Sequence, residues 1–230
     1  MASAIPSRPI KAVAAGVPLA CVAAASFLAL YQAWGEGRAI AALAVQDRML
    51  AQGLPLLPQH APSLPPQSAR AILADILLRA RAAQLMRDDD PRRVLLLGQA
   101  QGQLDRIEGA RPYWGEYWAV RAFVMAMLKG DRSPNTVGAF NRSYRETPYI
   151  YQSADWRVDY ALRNWGSLSP DIRPHAIREM VWLARREFTD RDRLIPQIRE
   201  TDAYRLFMIE WLAVRSRDAD FSPVEGLPPQ

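Results

Sequence analysis

The sequence predicts an all-α protein, a single N-terminal transmembrane helix followed by an extracytoplasmic helical-repeat domain. Three observations carry this. Residues Ala12 to Trp34 form a run of 23 residues without a charge. A proline-rich break follows at 53–67. Beyond it, apolar residues recur at helical spacing between Pro, Gly and Asp punctuation, and no alternation of the strand type is found.

The apolar run is long enough to cross about 30 Å of hydrocarbon as a helix. Tyr31 and Trp34 stand at its far end, where amphipathic rings favour the interface, and Arg8 and Lys11 flank its start. The positive-inside rule then puts the short N-terminus in the cytoplasm and the rest outside, which in a Gram-negative cell is the periplasm. A cleaved signal peptide is the rival reading. The run exceeds a usual signal core and no small-x-small site follows it closely, which favours a retained anchor. A lipid attachment at Cys21 in "PLAC" fits poorly, because the residues after Cys21 stay apolar for a dozen positions. That leaves Cys21 as a small hydrophobe in the membrane.

The order along the chain is a cytoplasmic N-terminus at 1–11, the transmembrane helix at 12–34, a juxtamembrane helix at 35–52, the linker at 53–67, the helical domain at 68–216 and a disordered tail at 217–230. The linker "GLPLLPQHAPSLPPQ" has five prolines, which block helix and keep the chain extended, with a reach of about 40 Å. In the domain, helix 68–86 puts Ile72, Leu73, Ile76, Leu77, Ala80 and Ala83 on one stripe, and "DDDP" starts the next at Pro91. Helix 91–108 aligns Val94, Leu97, Ala100, Leu104 and Ile107. Helix 112–129 aligns Trp114, Tyr117, Trp118, Arg121, Met125 and Leu128. "SP" at Ser133 opens a short helix to about Arg145. Helices follow at 151–165 and, capped by "SLSP", at 170–187. A short helix in "TDRDRLIPQI" is broken at Pro196, and Thr201–Asp202 caps a last helix at 203–215.

Composition removes several functional classes. The net charge is +5, but lysine occurs only at Lys11 and Lys129, and the arginines alternate with acids in "RDDDPRR" and "TDRDRL". No basic stripe suited to nucleic acid results. One cysteine and two separated histidines, His60 and His175, offer neither a disulfide nor a metal set, and no cofactor is expected. No Gly-rich phosphate loop, His-Glu-x-x-His or Gly-x-Ser-x-Gly is found. Glu116 is the best single acid candidate. Helical muramidase-like enzymes work with one glutamate, but their Glu-Ser context and Gly-rich surroundings are missing. The favoured role for Glu116 is a polar-face residue paired to an arginine such as Arg121. The chain is therefore expected to be no enzyme.

Two stretches resemble each other, "RPYWGEYWAVRAF" and "TPYIYQSADWRVDY", with Pro112 and Pro148 36 residues apart. Their rings, Tyr113, Trp114, Tyr117, Trp118, Tyr149, Tyr151 and Trp156, with Arg121 and Arg157 beside them, are the candidate partner- or glycan-binding residues. Flat rings stack on sugar faces and arginine fixes acidic groups. The competing reading is that the rings are knobs between helices. The single stripe of Trp114, Tyr117, Trp118 and Arg121 favours burial, while Tyr113, Tyr149 and Tyr151, at unit edges, favour surface contact.

The 36-residue offset is near the tetratricopeptide period of 34. The segment "YWAVRAFVMAMLKGDRSPNTVGAFNRSYRETP" is similar to one such unit, with Gly130-Asp131 in the turn, Ala139 and Phe140 in the second helix and Pro148 closing. The consensus Gly and Tyr of the first helix are absent. The Pro-Tyr start, Trp156-Arg157, and "NWGSLSPDIRPHAIREMVWLARRE" from Asn164 resemble single-pass, tetratricopeptide-like accessory proteins of bacterial envelope-polysaccharide clusters, those that make exopolysaccharide or O-antigen. The resemblance implies an inner-membrane accessory or scaffold protein. Its partner would be a membrane protein of polysaccharide assembly or export, or a glycan. A structural subunit of another membrane complex, held by its transmembrane helix, is the alternative.

Overall fold

A computed structural model describes residues 10–52, 68–110, 113–186 and 188–221 of the 230-residue chain. Among the described residues there are nine α-helices, three 3-10 turns and no strand. The chain divides into two compact units, 1–85 and 86–230, each described below by itself.

In the first unit, α1 runs unbroken from Ile10 to Ala51 with Pro18 inside it, so the expected transmembrane and juxtamembrane segments share one helix. Its apolar residues Val22, Phe27, Leu28 and Leu30 are exposed. Among the described residues no helix is long and apolar enough to cross a membrane. Much of the start of the expected 12–34 span lies outside that description, since the side chains of 12–17 and 19 are not among those described. The expected linker, 53–67, also lies outside the described residues. α2, Ala69–Gln84, starts at Ser68, whose hydroxyl accepts from the amide of Ala71 at 3.2 Å. The expected stripe is half right. Leu73, Ile76, Ala80 and Ala83 are buried together with Ala71, Ala74 and Ala82. The buried Gln46 of α1 donates from Nε2 to the Leu78 carbonyl at 3.1 Å, a bond that fixes α2 against the distal part of α1. α2 thus falls in the same compact unit as the N-terminal helix.

The second unit begins with α3, Pro91–Ile107. Asp90 caps it, accepting from the Arg92 amide at 2.8 Å, and Pro91 fills the first turn, where no amide donor is missed. Leu97, Ala100, Leu104 and Ile107 are buried, but Val94 faces solvent. After a 3-10 turn at Glu108–Ala110, α4 spans Gly115–Lys129. It starts three residues later than the sequence suggests. Trp114 is the residue before the helix and supplies no side-chain cap. α4 is buried nearly all round, from Tyr117 to Met125 apart from Arg121, so it is the central helix of the unit and not a one-sided one.

α5, Pro134–Glu146, returns along α4. The Ser133 hydroxyl caps it through the Thr136 amide, and the Thr136 hydroxyl donates back to the Gly130 carbonyl at 3.0 Å. Gly130 has φ 88° and ψ 155°, a region that only glycine adopts without strain. At the other end of the pair, a Cβ placed on Gly115 would lie 2.4 Å from the Thr147 side chain and 3.0 Å from the Ser143 carbonyl oxygen. A glycine lets the start of α4 touch the end of α5. The two helices, joined by the 130–133 turn, therefore run antiparallel in close contact.

After a 3-10 turn at Tyr151–Ser153, α6 covers Ala154–Arg163. Its far end grips the α4–α5 turn. The Tyr160 hydroxyl donates to the Asp131 carbonyl at 2.5 Å, and Arg163 is paired with the Asp131 carboxylate. Trp156 and Tyr160 join Phe123, Phe140 and Tyr144 in one aromatic cluster, with Phe140 and Tyr160 ring centres 4.3 Å apart. α7 is Arg173–Arg186, again three residues shorter at its start than expected. α8, Phe188–Arg199, passes through Pro196 without the predicted break. The proline removes one amide donor in the last turn. Leu194 and Ile198, four residues apart and both buried, hold that turn to the core. α9 runs from Tyr204 to Phe221, five residues beyond the expected domain end at 216, and the remainder of the expected tail, 222–230, lies outside the described residues.

Two substitutions test the α4–α5 contact. Gly130→Ala lowers the unfolding free energy by about 1–3 kcal/mol through backbone strain. Gly115→Ala lowers it by about 1–3 kcal/mol through overpacking. Chemical denaturation of both variants reads the two effects. Gly138→Ala on α5, where a Cβ meets nothing within 4 Å, is the control and raises the unfolding free energy by about 0.5–1 kcal/mol, the ordinary gain of alanine over glycine in a helix.

Candidate functional site: an aromatic–arginine groove

The nine candidate residues separate into two groups. Tyr117 and Trp118 are buried, and Trp114 and Trp156 are half-buried. Arg121 is consumed internally. Its Nη1 donates to the Tyr117 hydroxyl at 2.5 Å and to Glu108 at 3.0 Å, and lies 3.3 Å from Asp105. Trp118 has the Arg142 guanidinium 4.0 Å from its ring centre. These contacts tie α3, α4 and α5 together. The carboxylates that Arg121 pairs with come from the end of α3 and the turn after it. Burial pushes the Tyr117 hydroxyl up from its ordinary pKa, with Arg121 pulling it back.

Arg157 is the clearest correction. The sequence places it beside the edge tyrosines as a candidate binding residue, yet it is 0% exposed. Its Nη1 and Nη2 donate to the carbonyls of Thr147 and Pro148, both at 3.1 Å. Its guanidinium stands 3.7 Å from the Tyr144 ring centre. Its Nε lies 3.1 Å from Glu179 Oε2, an electrostatic contact, since the N–H is not aimed along a hydrogen bond. Glu179, also 0% exposed, accepts from the Tyr144 hydroxyl at 2.6 Å and, on Oε1, from the Ile150 amide at 3.4 Å. Two buried charges survive in an apolar interior only when each is paired and hydrogen-bonded, and here both are. Burial pushes the Glu179 carboxyl up to about 7, against the opposing pull of Arg157, the Tyr144 hydroxyl and the Ile150 amide. Burial, and then the Glu179 charge, push Tyr144 well above the ordinary tyrosine range.

Tyr113, Tyr149 and Tyr151 are exposed, at 79%, 47% and 61%. Tyr149 and Tyr151 gather round a residue that sequence reasoning passed over, Trp182 of α7. Their ring centres lie 6.1 and 6.2 Å from it. The Arg186 guanidinium is 4.9 Å from the Tyr151 ring centre and 6.0 Å from that of Trp182. Tyr149, Arg178, Val181, Trp182, Arg185, Arg186, Glu210 and Val214 line an open groove of about 360 Å³ between the 149–151 turn, α7 and α9. Arg178, Trp182, Arg185 and Arg186 fall at i, i+4, i+7 and i+8, one face of a helix, and that spacing was the readable signal. Glu210, on α9 in a distant part of the chain, had none. Three arginines and one glutamate leave the groove net positive, with flat rings beside the charges. Such a surface holds a carboxylate or another anion by bidentate arginine contacts and packs its apolar part on the rings. Among the described residues no group of three or more His, Cys, Asp or Glu is placed to hold a metal ion.

The raised Glu179 value fixes a sign. Its folded pKa lies above its ordinary 4.5, so the folded state holds the proton more tightly than the unfolded chain. The stability this contributes is full below about pH 4.5 and is lost as pH rises through about 7. The unfolding free energy of the wild type therefore falls, relative to Glu179→Gln, by up to about 3 kcal/mol between pH 4.5 and 7.5. Urea denaturation of both proteins across that range measures the difference. A flat difference rules out titration of Glu179 there.

No family model matches the chain, and the searches of curated proteins and of solved structures likewise find no match.

Proposed function

We propose that this chain is a membrane-tethered binding protein that performs no reaction, and that the groove of Tyr149, Trp182, Arg178, Arg185 and Arg186 takes hold of an acidic segment of a protein partner. The single observation that carries the reading is the gathering of two exposed tyrosine rings, the half-buried Trp182 and three arginines on one open surface. Acidic side chains presented by a partner would meet the arginines, and apolar ones the rings. The rings also favour a second occupant, an acidic glycan, because a sugar face stacks on an exposed Tyr such as Tyr149 or Tyr151. Tyr113, the third exposed edge tyrosine, stays a candidate for a separate contact.

The tether in this reading is the charge-free run 12–34 of α1, with the helical unit on the periplasmic side of a bacterial inner membrane because Arg8 and Lys11 flank the run's start. The α4–α5 hairpin is then one tetratricopeptide-like unit, and α6 with α7 the next. The resemblance to envelope-polysaccharide accessory proteins gives the system in which the partner works, assembly or export of such a polymer.

Two measurements test this. Full-length protein in detergent binds a hexaglutamate peptide, and Arg178→Ala combined with Arg185→Ala weakens that binding about tenfold or more, as does raising the salt to 0.5 M. Preference for an oligogalacturonate over the peptide moves the assignment to the glycan, and binding of neither ends it. In the second measurement, residues 12–34 are replaced by an unrelated membrane span. Retention of the native partner in co-purification supports the groove. Its loss returns the chain to the alternative, a structural subunit held by its transmembrane helix.

A further inference from the structure

Tyr149 of the groove stands on a stretch, 147–150, that belongs to no helix, and Tyr151 opens the 3-10 turn directly after it. The backbone of the stretch is held from beneath by two side chains. The guanidinium of Arg157, from α6, donates to two successive carbonyls, Thr147 and Pro148. The carboxylate of Glu179, from α7, accepts from the Ile150 amide. Tyr149 lies between these anchors and Tyr151 directly after them. Ile150 itself is buried, so the chain alternates outward, inward, outward over 149–151. On α7, Glu179 points into the core while its neighbour Arg178 and, one turn on, Trp182 line the groove. The same helix therefore supplies one wall of the groove and the anchor for the opposite wall.

We propose that the Arg157–Glu179 pair is a positioning clamp for the groove. It fixes the 147–150 backbone so that Tyr149 and Tyr151 stand against Trp182, and it thereby sets how tightly the groove holds an acidic ligand. This rests on the groove reading given above. Arginine suits the task because its planar fork reaches two carbonyls at once while keeping its charge beside Glu179. Lysine, a point charge with a mobile stem, keeps the charge and loses the fork. A pair that served only to stabilise the core would act on the whole unit. A clamp acts first on five residues at its rim.

The test compares full-length wild type, Arg157→Lys and Val158→Ala in detergent. Val158 is the buried residue next to Arg157 on α6, and its truncation lowers stability while keeping the side chains of Arg157 and Glu179 that hold the turn. Hydrogen exchange is followed by peptide, and hexaglutamate binding by titration. Arg157→Lys is expected to speed exchange over 147–151 by about tenfold or more while α4 exchanges as in the wild type. Its Kd for hexaglutamate is expected to rise about fivefold to tenfold. Val158→Ala is expected to leave both local exchange and Kd near wild type. Exchange that rises evenly through all helices, or a Kd unchanged in Arg157→Lys, overturns the clamp. If the wild type does not bind hexaglutamate, the groove reading falls and the clamp's effect on affinity falls with it. If Arg157→Lys does not fold, Tyr144→Phe, which removes one donor to Glu179 and leaves both charges, is read in the same way against Val158→Ala.

Discussion

The second unit depends on one buried ion pair. Arg157 and Glu179 meet with no exposed surface, and an interior of that kind destabilises an ionisable group left without polar partners. The completion draws on four successive parts of the chain. α5 supplies the Tyr144 hydroxyl and ring, the 147–150 stretch its carbonyls and an amide, α6 the arginine and α7 the glutamate. An apolar core of equal volume would hold these helices together as well, but it would not specify where a turn without helical hydrogen bonds must run. The polar groups of that turn need partners, and the pair supplies them.

The helices themselves were legible because their signals are local. Asp90 before Pro91 and Ser133 before Pro134 cap where the pattern put them, since each needs only a side-chain oxygen within reach of an amide two or three residues on, and Ser68, expected as the first helical residue, caps α2 in the same way. The misjudged starts share a cause. At Trp114 and ahead of Arg173 the chain continues as turns, and a proline two or three residues upstream marks a turn as readily as a first helical residue. Pro196 shows the opposite error. A breaker three residues from a helix end costs one hydrogen bond, and burial of Leu194 and Ile198, which no local rule counts, outweighs it.

The site was only partly legible, for reasons that also concern charge. Periodicity separates apolar from polar positions, and it treats every arginine as polar. It cannot say that Arg157 is inside with Glu179, which lies 22 residues on, or that Arg121 is bound by Asp105 and Glu108 from the preceding helix and turn. The edge tyrosines were legible because Pro-Tyr marks a unit boundary, and boundaries lie at surfaces. Trp182 was overlooked because it sits inside a helix whose stripe, Ile177, Met180, Val181 and Ala184, accounts for the core without it. A large ring left off the core stripe, with arginines before and after it on the same face, is the pattern that should have been noticed.

The contrast between the two arginine–aromatic clusters explains why one is structure and the other a candidate for binding. Arg142 and Arg121 flank Trp118, as Arg186 flanks Trp182 and Tyr151, so the residue types are the same. Around Trp118, however, three helices meet, Arg121 is held at 3.0–3.3 Å by two carboxylates, and the ring is 6% exposed. Around Trp182 the nearest carboxylate to Arg186 that α6 offers, Asp155, is 3.9 Å away and more than half exposed, and the rings of Tyr149 and Tyr151 face solvent. An ion pair in that setting contributes little to stability, because water screens it and two long side chains must be ordered to make it. The first cluster's electrostatics act inside the fold and the second's lie at an open surface, a difference that follows from burial and not from the arginines and rings themselves.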